Sequence, residues 1–196
     1  MESLLEEGTC QQIMPAEGNL ANVRLALRAD AEGLPPAAIV NLALQQASSL
    51  GYLFAEYLWA KLAGPALADL TVFESLLRLL ETPELSPIAR WALINAVYST
   101  TVHSPAATPE HVHRLARAFF RLLEVDQDPS VTDNIVQTFL PNLLGVQGGL
   151  PDRDADDVFR DSPQERAKVE AILRRYQGTA STQALLAWLG AEKTQP

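Results

Sequence analysis

One stretch of this chain is written twice. SLLRLLETPELSPIARWALINAV, residues 75–97, lies without a gap over AFFRLLEVDQDPSVTDNIVQTFL, residues 118–140, at a shift of 43 residues. Arg78 falls on Arg121, Leu79 and Leu80 on Leu122 and Leu123, and Glu81 on Glu124. Each copy then passes through a Pro-containing break into a second apolar run. A repeat of this length is the period of a helical array, in which each unit is a helix pair that buries its apolar face only against its neighbours.

Four dipeptides mark helix starts. Ser86-Pro87, Thr108-Pro109, Asp128-Pro129 and Ser162-Pro163 each place a side-chain acceptor at the N-cap and proline at the first helical position, where its missing N–H costs nothing. Ser162 and Glu165 have the spacing of a capping box. The pattern predicts helices near 19–30, 36–49, 51–63, 67–81, 87–101, 109–124, 129–144, 163–176 and 180–191. Pro141 sits inside one of them and is expected to kink or shorten it. Strand alternation and hairpin dipeptides do not occur, so the expected class is all-α, a short α-solenoid of helix pairs. Residues 1–17 read as a tail, 18–144 as the repeats and 145–162 as an acidic loop or linker. In 163–196, Val169, Ile172, Leu173 and Tyr176 and then Leu185, Trp188 and Leu189 recur at helical spacing, giving two amphipathic helices able to cap the stack.

Composition bounds the function classes. A formal net charge of -9, with 15 scattered Lys and Arg residues, lacks the clustered positive charge that phosphate neutralisation needs, so nucleic acid is not an expected partner. The longest apolar stretch, 50–62, is interrupted by Glu56 and Lys61 and is too short to span a bilayer. Cys10 is the only cysteine and no leader-like segment opens the chain, which points to the cytoplasm.

The second helix of the middle repeat carries the most specific motif, Ala89-Arg90-Trp91-Ala92-Leu93-Ile94-Asn95-Ala96. It resembles the armadillo family, whose inner helices read W-A-L-x-N, and the preceding Leu-Leu-Glu, turn and helix are similar to HEAT and armadillo units. The resemblance covers roughly residues 20–144. It implies a non-enzymatic module in which Trp91 packs on an extended peptide or partner protein while the Asn95 amide hydrogen-bonds the peptide backbone. An amide both donates and accepts, and a Trp face offers apolar area and a cation–π surface. The 43-residue shift carries Trp91 onto Asn134, Ile94 onto Gln137 and Asn95 onto Thr138, and a backward shift of 50 carries Trp91 and Asn95 onto Asn41 and Gln45. The expected face is therefore Asn41, Gln45, Arg90, Trp91, Ile94, Asn95, Tyr98, Asn134, Gln137 and Thr138. Trp91 reads equally as a core aromatic, and Asn95 as a solvent-facing helix residue.

The helix Tyr52–Leu62 is apolar on nearly every side, so it is either central or covered by another chain. In the second case Tyr57 and Trp59 are the anchors of a homo-oligomer. Asp152, Arg153, Asp154, Asp156 and Asp157 imitate a calcium loop, but Asp157 stands where glycine is wanted and Pro163 where the bidentate Glu should be. His111 and His113 diverge, and His103 has no metal-binding companion, so neither metal nor cofactor is expected. An enzyme on a HEAT-like scaffold, of the glycosylase type, needs an acid in a basic aromatic cleft. Asp133 is the nearest imitation, in the wrong charge environment. No residue pattern nominates a reaction.

Overall fold

The computed structural model describes residues 26–30, 32–126, 128–146, 162–176 and 178–191, and every regular element among them is helical. Cys10, the 1–17 tail and the Asp152–Asp157 segment lie outside the described residues. Two compact units divide at Val97 and Tyr98.

In the first unit, residues 26–30 are helical and are followed by α1 (Pro36–Gln45), a 3-10 turn (Ala47–Ser49), α2 (Tyr52–Ala68) and α3 (Leu70–Glu81). The division falls inside α4 (Pro87–His103). Proline opens α1 at its first position, and Asp69 caps α3 by accepting the Thr71 N–H at 2.8 Å. The sequence predicts that α2 ends at 63, before Gly64-Pro65, yet it runs on to Ala68. Pro65 removes one N–H, and a proline in a helix interior costs about 3 kcal/mol. Leu62 and Ala66, on either side of it, are both fully buried, and that burial offsets the cost. α2 also proves one-sided. Phe54, Ala55, Leu58, Leu62 and Ala66 form its buried stripe, while Glu56, Ala60 and Lys61 face solvent.

In the second unit, α5 (Pro109–Val125), α6 (Pro129–Asn134), a π-helical turn (Ile135–Phe139) and α7 (Leu140–Leu143) are followed by α8 (Pro163–Leu173), a 3-10 turn (Arg174–Tyr176) and α9 (Ala180–Ala191). The predicted single helix 129–144 is thus broken by the π turn. Pro141 supplies the reason: it has no N–H to give the carbonyl four residues back, that of Gln137, and the turn widens so that the Leu140 N–H reaches the Ile135 carbonyl. The Ser181 hydroxyl of α9 donates to the Gln137 carbonyl instead, at 3.3 Å. α8 packs on α5, and α9 packs on α8, α7 and the π turn, burying Val169, Ile172, Leu173, Leu185 and Leu189.

The repeated segment shares much of its buried side in the two copies, with exceptions that include Arg90 and Asp133, Ile94 and Gln137, and Ala96 and Phe139. Leu76 and Phe119, Leu77 and Phe120, Leu79 and Leu122, Leu80 and Leu123, Ala92 and Ile135, Leu93 and Val136, and Val97 and Leu140 are all buried. Arg78 and Arg121 are both exposed.

Candidate functional site

α4 presents the exposed aromatic of the repeat. Ser86 precedes it and is bonded twice: its hydroxyl donates to the Leu50 carbonyl at 2.7 Å and its oxygen accepts the Ala89 N–H at 3.3 Å. With its start fixed, the helix buries Ala89, Ala92, Leu93, Ile94 and Val97, which turns the opposite stripe outward. Trp91 lies on that stripe with 37 % of its surface exposed. Asn95 follows one turn later, half-buried, and its Nδ2 donates to the Trp91 carbonyl at 2.8 Å. That bond ties the amide to the α4 backbone and leaves Oδ1 the acceptor end. Trp91 is therefore partly exposed rather than a fully buried core aromatic.

Two residues expected on this face are placed elsewhere. Ile94 is 1 % exposed, because it falls on the core side of the same helix. Arg90 is 7 % exposed and spends its guanidinium inside the fold: Nε donates to the Leu80 carbonyl at 3.0 Å and Nη2 to the Thr82 carbonyl at 2.7 Å. Both carbonyls belong to the C-terminal end of α3, where a cation also complements the helix dipole. No sequence signal marks this role, since backbone acceptors carry no letter.

The remaining residues of the expected ladder reach solvent to differing degrees. Asn41 and Gln45, one turn apart on α1, are both exposed. In the second unit, Gln137 and Thr138 are exposed on the π turn, and Asn134 is half-buried with its Nδ2 bonded to the Ser130 carbonyl at 2.7 Å, the same back-bond that Asn95 makes. Tyr98 is half-buried; its ring lies 4.4 Å from that of Phe139, and its hydroxyl accepts from Asn142 Nδ2 at 3.0 Å. Burial pushes the Tyr98 phenol above its ordinary range, with the Asn142 bond opposing.

The anchors expected for self-association are half-buried. Tyr57 donates to Asp30 Oδ1 at 3.2 Å, and Lys61 bonds the same carboxyl at 2.8 Å while lying 5.8 Å from the centre of the Tyr57 ring. The Lys61 hydrogen bond holds the Asp30 carboxyl below the usual carboxylate range, helped by Tyr57. These contacts tie α2 to the helical residues 26–30. Trp59 is likewise half-buried.

Elsewhere, His111 is buried at the start of α5, where Nδ1 accepts the Thr108 N–H at 3.2 Å; His113 is half-buried, and His103 and Asp133 are exposed. Among the described residues, no group of three or more His, Cys, Asp or Glu side chains is placed to hold a metal ion, and no helix is long and apolar enough to cross a membrane. No family model matches the chain, and no curated protein or solved structure matches it either.

Proposed function

We propose that the chain is a non-enzymatic binding module, an armadillo/HEAT-like helical repeat of the cytoplasm that holds a protein or an extended peptide on its inner-helix face. The observation that carries this reading is Trp91. A large aromatic stands 37 % exposed on a helix that buries Leu93, Ile94 and Val97, with an amide fixed one turn away. An exposed Trp beside a fixed amide suits a peptide, because the indole takes up a side chain while Asn95 Oδ1 accepts a backbone N–H. The aligned positions buried in both segments, Leu79 and Leu122, Leu80 and Leu123, and Leu93 and Val136 among them, support the repeat reading. In the first unit, the exposed amides Asn41 and Gln45 extend the same chemistry.

The test is recovery of partners from source-cell lysate by wild type and by the Trp91→Ala/Asn95→Ala double variant, after equal helicity and melting have been established. Recovery with wild type alone supports the face. Identical recoveries, or unfolding of the double variant, overturn it.

A further inference from the structure

We draw no further inference here: the strongest candidate, the outer face of α2 in the first unit, where Leu53, Ala60 and Gly64 stand exposed, is an unpartnered apolar face, and nothing in the structure shows what covers it.

Discussion

The Arg90 guanidinium and the Leu80 carbonyl, ten residues apart in sequence, are joined by a 3.0 Å hydrogen bond inside the first unit. The equivalent carbonyl one repeat later, Leu123, also accepts from an arginine, but from Arg175 at 3.3 Å, with the Tyr176 hydroxyl at 3.4 Å. Position 133, where the 43-residue shift would put Arg90, holds Asp133. Both copies therefore end their first helix on a carbonyl that needs a donor, and they find it in different places.

The two arginines are expected to differ in what they contribute. Arg90 is buried and bonds two carbonyls, so Arg90→Ala leaves both without that donor and should cost about 2–3 kcal/mol. Arg175 is exposed and shares its acceptor with Tyr176, so Arg175→Ala should cost about 0.5 kcal/mol or less. Urea unfolding midpoints compare them directly; equal losses would show that Arg90 is not a helix-end clamp.

This pair also marks where sequence reading stops. The helical class was legible because burial at positions such as Leu79, Leu80, Leu122 and Leu123 imposes apolar letters at helical spacing. The Pro-marked starts of α4, α5, α6 and α8 were legible because caps demand particular side chains. Arg90 was not legible, because its partners are backbone oxygens that any residue supplies, and next to the Trp91–Asn95 motif its letter fits a partner-facing position equally well. Pro141 announced a disturbance in its helix, but whether that becomes a kink, a break or a π turn depends on Ser181, a residue 40 positions away. Trp91 and Asn95 were legible as a pair on one helix stripe. Which stripe faces the core is set by the packing of α4, and the letters alone left both readings open.

Trp91 and Ile94 should separate cleanly in stability. Ile94 is fully buried, so Ile94→Ala is expected to cost about 2–5 kcal/mol. Trp91→Ala removes a partly exposed side chain and should cost less than Ile94→Ala, and Asn95→Ala should stay within about 0.5 kcal/mol of wild type. Thermal or urea unfolding of the three variants decides. A Trp91→Ala loss as large as that of Ile94→Ala would return Trp91 to the core and remove the basis of the proposed binding face.

Tyr98 makes an alkaline prediction. Burial raises its phenol pKa in the folded state above the unfolded value of about 10. The stability linked to this shift is therefore fully present below that unfolded value and is lost as pH rises through the folded one. Unfolding free energies measured from pH 8 to 11 should fall at the alkaline end in wild type and fall less steeply in Tyr98→Phe. Parallel curves would mean that the phenol does not titrate differently in the folded chain.

Asp30 makes the opposite, acidic prediction. Its folded pKa is depressed, first by the Lys61 hydrogen bond, so the linked stability is present above the unfolded carboxylate value near 3.9 and is lost as pH falls through the folded one. Because the pair is exposed, the effect should be small and should shrink with added salt. Asp30→Asn is expected to remove that component of the acid limb in low-salt titration. An unchanged limb would assign acid sensitivity to other carboxylates.

Ser181 and Pro141 should be coupled. The Gln137 carbonyl accepts from Ser181 because residue 141 has no N–H. Ser181→Ala in wild type is therefore expected to cost about 0.5–1 kcal/mol, as for one hydrogen bond to a partly exposed carbonyl. Pro141→Ala restores the N–H, lets it reach the Gln137 carbonyl in α-helical register and makes the serine redundant. In that background Ser181→Ala should cost almost nothing, and the double-mutant cycle should return a coupling of about the size of the single loss. A hydrogen–deuterium exchange comparison adds an independent reading, because the alanine amide at 141 should be protected only if that bond forms. If Ser181→Ala costs the same in both backgrounds, the hydroxyl stabilises α9 by some route other than the carbonyl that Pro141 leaves open, and the π turn has a different cause.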